Sequence, residues 1–226
     1  MNIIENNLDF YINKLKKNEK FSFTRWGDGE WSCVFGAKGH NCDKHQYFES
    51  MSEELTEALI NDKGYYKATW PMSVPMLTNI KHLIKEMKEK YNLKDNWVDA
   101  RVWEESAMAG EIKPLIEQLE KMDLILVSEK SKRELPIDYK EFIEIPSVDC
   151  YLEKEKIKEE IKSLAEKYDK PVFGLSASMA TNVIVDELFN EMGDKCWMID
   201  FGSIWEPYIN KVSRSYHHRY ASKEIK

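Results

Sequence analysis

The run Arg25-Trp26-Gly27-Asp28-Gly29-Glu30 carries the densest chemistry in this chain of 226 residues. Asp28 and Glu30 stand two positions apart with glycines interleaved. On a tight turn, which the glycines permit by adopting positive φ, that spacing aims both carboxylates at one hard cation seeking oxygen ligands. Arg25 beside them can hold a phosphate oxygen bidentately. Arginine, paired acids and glycines at the end of a strand therefore suggest a metal-assisted site for a phosphorylated ligand, with Asp28 and Glu30 as its metal ligands. An Asp-Gly pair alone would mark only a turn; the neighbours shift the reading.

Two further groups follow predicted strands. Leu175-Ser-Ala-Ser-Met-Ala-Thr181 leaves a strand for a helix through small residues. Such residues let a diphosphate approach helix amides, and the Ser176 and Ser178 hydroxyls can donate to it; Ser178 as a plain helix cap is the simpler alternative. The third group is Asp200-Phe-Gly-Ser-Ile-Trp-Glu-Pro-Tyr208 with the basic segment Ser213–Arg219 behind it. Asp200 or Glu206 can bind sugar hydroxyls or take an acceptor proton. Arg214 and His217 can neutralise a leaving diphosphate, unless the segment is only a solvated tail. Most of the tryptophans belong in a core, and those in the acidic turn, Trp26 first, are candidates for stacking on a base or sugar. No Gly-Lys-Ser/Thr phosphate loop and no Gly-x-Gly-x-x-Gly occurs, which removes support for loop-based ATP hydrolysis and dinucleotide redox chemistry. Cys33, His40, Cys42 and His45 lie close in sequence, but their spacing matches no structural zinc pattern.

The elements that must position these groups alternate. Apolar spacing predicts helices over 2–17, around 30–35, over 51–60, 77–87, 112–119, 157–165 and 178–192. Strands are predicted at 21–24, 65–70, 123–128, 142–145, 171–176 and 196–201, with extended character over 97–103. The run Asp123-Leu-Ile-Leu-Val-Ser128 is nearly all apolar, as a strand buried on both faces requires. The expected fold is one α/β domain over 1–226, Rossmann-like, with a mostly parallel sheet covered by helices on both faces. Ligands of such sheets sit beyond the carboxyl ends of the strands, which is where all three groups fall.

Hydrophobic residues make up 42% and charged residues 32%, enough for a packed core and unlike a disordered chain. A net charge of −7 disfavours non-specific nucleic-acid binding. Apolar runs are too short to span a membrane and the first residues do not resemble a signal peptide, so a cytoplasmic, soluble protein is expected. The four cysteines are scattered, with no disulfide framework.

Arg25-Trp-Gly-Asp-Gly-Glu30 resembles the Arg-aromatic-Gly-Asp-Gly-Glu signature of the GT-D-type glycosyltransferases. The second half is similar too: a strand, a Ser-Ala-Ser-Met-Ala turn, a helix, a strand and an Asp-aromatic-Gly-Ser segment. The resemblance implies a nucleotide-sugar donor of UDP-sugar type and Mn²⁺ or Mg²⁺ on the acid-x-acid pair, Asp28 and Glu30. On this reading Arg25, Trp26, Gly27, Ser176, Ser178, Arg214 and His217 contact the donor, and Asp200 or Glu206 serves the acceptor. The acceptor is expected to be a hydroxyl of a glycan or glycoprotein, with a hydroxylated base in DNA as the minority alternative; a homodimer stays open. A nucleotide-sugar-binding module without turnover and a phosphotransfer enzyme using the same acids are the competing classes.

Overall fold

The computed structural model describes residues 3–4, 7–94 and 97–222. The strands are β1 (Ile3–Ile4), β2 (Ser22–Trp26), β3 (Tyr66–Thr69), β4 (Trp97–Asp99), β5 (Asp123–Ser128), β6 (Glu141–Glu144), β7 (Pro171–Leu175) and β8 (Trp197–Asp200). They form one eight-stranded sheet in the order β1-β4-β3-β2-β8-β7-β5-β6. Every pairing between these strands is parallel. The helices are α1 (Leu8–Lys16), α2 (Asp28–Val34), α3 (Glu49–Ile60), α4 (Pro75–Thr78), α5 (Lys81–Tyr91), α6 (Val102–Ala109), α7 (Lys113–Glu120), α8 (Lys154–Lys167) and α9 (Ala180–Met192).

Parallel strands need crossovers, and the crossovers cover both faces of the sheet. Alternate residues of β5 show the consequence. Ile125 and Val127 join a core with Leu55, Ile84, Ile161 and Ile184 from α3, α5, α8 and α9. Leu124 and Leu126 join the opposite core with Leu15, Trp103 and Ile116 from α1, α6 and α7. This single α/β domain is the Rossmann-like arrangement expected from the alternation of elements. No helix among the described residues is long and apolar enough to cross a membrane.

Three element boundaries differ from expectation. Ile4 was expected in the first helix, but Ile3–Ile4 pairs with β4 at the sheet edge. The helix itself begins at Leu8, where the Asn7 side chain accepts from the Phe10 amide at 3.0 Å. The remainder of the predicted helix start (residues 2, 5 and 6) lies outside the described residues. Extended structure in 97–103 lasts only three residues, because Asp99 Oδ1 accepts from the Arg101 amide at 2.9 Å and turns the chain into α6. The helix predicted over 77–87 is two pieces, α4 and α5, interrupted at Asn79–Ile80.

Candidate active site

The carboxyl ends of four adjacent strands, β2, β8, β7 and β5, open into one cleft of about 720 Å³, within the range of small-molecule sites. Arg25 and Trp26 end β2 and Gly27 to Glu30 follow it, Asp200 ends β8 and Phe201 to Ser203 follow, Ser176 and Ser178 follow β7, and Ser128 ends β5 with Glu129 behind it; apart from Trp26 and Phe201, these line the cleft. Residues 213–216 with Arg219, and the loop carrying Asn41, Asp43 and His45, form further parts of the walls.

The acidic stretch folds differently from the turn expected. Gly27 has φ −95° and caps α2, while Asp28, Gly29 and Glu30 form that helix's first turn. Neither Gly27 nor Gly29 has positive φ. Residues two apart on a helix do not share a face, so the two carboxylates diverge. Asp28 is exposed within the cleft. Glu30 folds back, and its Oε2 accepts from the Gly27 amide at 2.8 Å, half of a capping box. Burial pushes the Glu30 carboxyl up to about 7. Gly27 serves close packing: a Cβ there would lie 3.2 Å from the Trp70 ring and 3.3 Å from Glu30 Oε2.

No group of three His, Cys, Asp or Glu side chains that could hold a metal gathers among the described residues, which also applies to Cys33, His40, Cys42 and His45. A closed protein cage is thus absent among them. The donor set nevertheless fits a cation of the Mg²⁺ kind, which is held by one or two carboxylates while water and substrate phosphates supply the other ligands.

Arg25 and Asp200 face each other across β2 and β8. Arg25 Nη2 lies 3.3 Å from Asp200 Oδ1, and Nε lies 3.3 Å from Oδ2. Burial disfavours the guanidinium charge, but the Asp200 carboxylate outweighs it and holds Arg25 above its ordinary value. Burial raises Asp200, and Arg25 opposes that rise. With both oxygens on the guanidinium, Asp200 is arranged to position Arg25 rather than to receive an acceptor proton. Gly202 makes room for the pair. Its φ is +53°, and a Cβ there would fall on the Arg25 guanidinium. Ser176 Oγ donates to Gly202 O at 2.7 Å and ties the β7 and β8 ends together. Ser178 has φ 50°, and its Oγ accepts from Asn41 Nδ2 at 3.0 Å.

Glu206 is buried and heavily engaged. Its Oε1 lies 3.2 Å from Lys132 Nζ, and Ser213 Oγ donates to its Oε2. A carboxylate so committed is a poor proton acceptor, which revises its expected role. Arg214 lines the cleft and is ion-paired through Nη2 with Asp43 of the overlying loop.

His217 does not line the cleft. It is fully buried, and its Nδ1 accepts from the Ser213 amide at 3.2 Å and the Arg214 amide at 3.4 Å. Burial pushes it down to about 4, so at neutral pH it shapes the Arg214 backbone as an uncharged ring instead of meeting a phosphate as a cation. A histidine lowered on folding contributes stability that is complete above the unfolded value near 6.5 and is lost as pH falls toward 4. Denaturant titrations between those limits should show wild-type stability falling by about 2–3 kcal/mol toward acid pH from this group, and a flatter slope in His217→Gln. Equal slopes would exclude that assignment.

Trp26 is also misplaced as a donor contact. It is fully buried, with ring centroids 5.7 Å from Trp31 and 5.9 Å from Trp97, on the core side of β2. The tryptophan that lines the cleft among the described residues is Trp70, beyond the end of β3, with the Arg25 guanidinium carbon 5.7 Å from its ring. Glu104, Gly202, Asn41 and Lys132 were likewise not picked out as site residues. Trp70 stands before a proline at a strand end, a signal that could have found it; Glu104 sits inside a helix whose proximity to β2 only the fold reveals.

No family model matches the chain, and no curated protein matches it. A solved structure described as a selenomethionine-substituted domain of unknown function 1792 (DUF1792) is similar, with a TM-score of 0.64 and 19% identity over 91% of this chain and 80% of that one. At that identity the likeness establishes the fold alone.

Proposed function

We propose that the chain is a metal-dependent glycosyltransferase that moves a sugar from a nucleotide sugar, a UDP-sugar in the first instance, to a hydroxyl of a glycan or glycoprotein. The observation that carries this reading is the convergence of Arg25, an exposed Asp28, the Ser176–Ser178 turn and Arg214 on one cleft at the carboxyl ends of parallel strands. The motif resemblance at 25–30 supports the same reading.

In this scheme Asp28 would hold Mn²⁺ or Mg²⁺ directly, with Glu30 behind it through water. When bound, the ion neutralises charge on the departing diphosphate. Arg25, held by Asp200, presents a fixed positive charge from the cleft floor, where low dielectric strengthens it. Ser178 accepts from Asn41, which leaves its hydroxyl proton to donate to a phosphate oxygen. Arg214 exchanges its partner Asp43 for a phosphate, so the loop bearing Asp43 responds to donor binding.

A thermal-stability screen of UDP-, GDP- and ADP-sugars with Mn²⁺ tests the reading. One donor class should raise the melting temperature progressively with its concentration, and only with the metal present, because a ligand stabilises the state that it binds. The absence of any metal-dependent shift across the three classes would reject it. Binding without release of nucleoside diphosphate on prolonged incubation would instead identify a binding module.

A further inference from the structure

Apart from the exposed Asp28, the carboxylates of the cleft wall are partnered, with one buried exception. Asp200 is held by Arg25, Glu206 by Lys132 and Ser213, Glu129 by Lys132 at 3.3 Å, and Asp43 by Arg214. Glu105 pairs with Arg101 at 3.0 Å, and Glu30 caps Gly27. Glu104 lines the same cleft and is only 7% exposed, yet no ion pair to it occurs among the described residues. Its one hydrogen-bond partner there is the Trp70 indole, whose Nε1 donates to Oε1 at 3.0 Å. A carboxylate buried with no salt-bridge partner is costly, and the Arg25 charge offsets this one only through space. This one lines the cleft from α6, close enough to Arg25 for the two charges to interact.

We propose that Glu104 is the base that takes the proton of the acceptor hydroxyl, and that Trp70 is a positioning residue that holds its carboxylate. The inference rests on the glycosyltransferase reading above. In the step, the acceptor O–H proton passes to Glu104 and the acceptor oxygen bonds to the anomeric carbon. The bond from that carbon to the diphosphate breaks, and its electron pair leaves on the diphosphate oxygen. Glu104 returns the proton to solvent. A single displacement of this kind inverts the anomeric configuration. Burial also keeps Glu104 above the ordinary carboxylate range, which makes it a stronger base than a solvated glutamate. A carboxylate on this wall with no salt bridge of its own suits a neutral, hydroxyl-bearing acceptor such as a saccharide and disfavours a polyanion.

The test compares wild type with Glu104→Gln, which keeps the shape and the acceptor for the Trp70 indole, and with Trp70→Phe, which removes the N–H donor and part of the ring system while keeping an aromatic. The metal-dependent thermal shift with donor, the transfer rate and the product anomer are measured for each. The proposal expects Glu104→Gln to keep the donor shift and lose transfer by about 100-fold or more. Trp70→Phe should lower kcat by a smaller factor with donor KM unchanged, and the wild-type product should be inverted. Undiminished transfer by Glu104→Gln, loss of its donor binding, or a retained product anomer would each overturn the assignment while leaving the transferase reading intact. Wild-type enzyme that consumes none of the sugar nucleotides overturns both.

Discussion

Asp28→Asn should abolish metal-dependent sugar transfer, with a fall of about 100-fold or more, while leaving the fold almost untouched. The two halves of this expectation have separate physical grounds. Asp28 is exposed in the cleft and is not used to hold the protein together. Surface substitutions of that kind change stability by roughly 0.5 kcal/mol or less. The carboxamide keeps the shape and the helix start, but it lacks the charge that a divalent ion needs. Rate of nucleoside diphosphate release and melting temperature, measured on the same preparation, separate the effects. Turnover unchanged in saturating Mn²⁺ would remove Asp28 from the scheme.

Arg25→Met should have the largest effect on stability, because it strips the cation from a buried carboxylate. Breaking one side of a buried ion pair costs about 3–5 kcal/mol. The loss also acquires a pH dependence with a definite sign. Burial already raises Asp200 even against Arg25, and without the guanidinium it is raised further. Its ionisation then opposes folding, so the variant loses stability as pH rises from the unfolded carboxylate value, near 4, toward the elevated folded one. Denaturant midpoints at pH 4.5 and 7 check this. The double variant Arg25→Met/Asp200→Leu should recover much of the loss, since two apolar groups of similar volume leave no unpaired charge. Equal stability of Arg25→Met at both pH values would mean that the pair is not held in the low-dielectric setting described here. Gly202 belongs to the same unit, because any side chain there occupies the space of the guanidinium.

The fold was readable because its signals are local. The apolar run of β5, the helical spacing of α8 and α9 and the alternation of strand with helix each lie within one window of sequence. The edge strand Ile3–Ile4 was not readable: two residues carry no period, and its partner β4 is more than ninety positions away. Of the residues chosen from the sequence, Arg25, Asp28, Ser176 and Ser178, taken for their type at a strand end, and Arg214, taken from a basic run, line the cleft. The errors share a cause. Trp26 was chosen because it adjoins the acids, but consecutive residues of a strand point to opposite faces, so Arg25 entering the cleft sends Trp26 into the core. The turn expected at Gly27-Asp28-Gly29-Glu30 proved to be a helix start, where Glu30 finds a partner in the Gly27 amide. His217 looked cationic as part of a basic run, and burial leaves it neutral. Glu104 and Gly202 carry no local signature at all; each matters through residues brought near by the sheet.

The most direct measurement is the coupling between metal and nucleotide. Calorimetric titration of UDP, or of the nucleoside diphosphate selected by the donor screen, is done in Mn²⁺ and in chelator, on wild type and Asp28→Asn. If a cation on Asp28 carries the diphosphate, Mn²⁺ should tighten nucleotide binding to wild type by about 10-fold or more, and the enhancement should vanish in Asp28→Asn. Nucleotide affinity that is the same with and without the metal, or coupling that survives in Asp28→Asn, would contradict it.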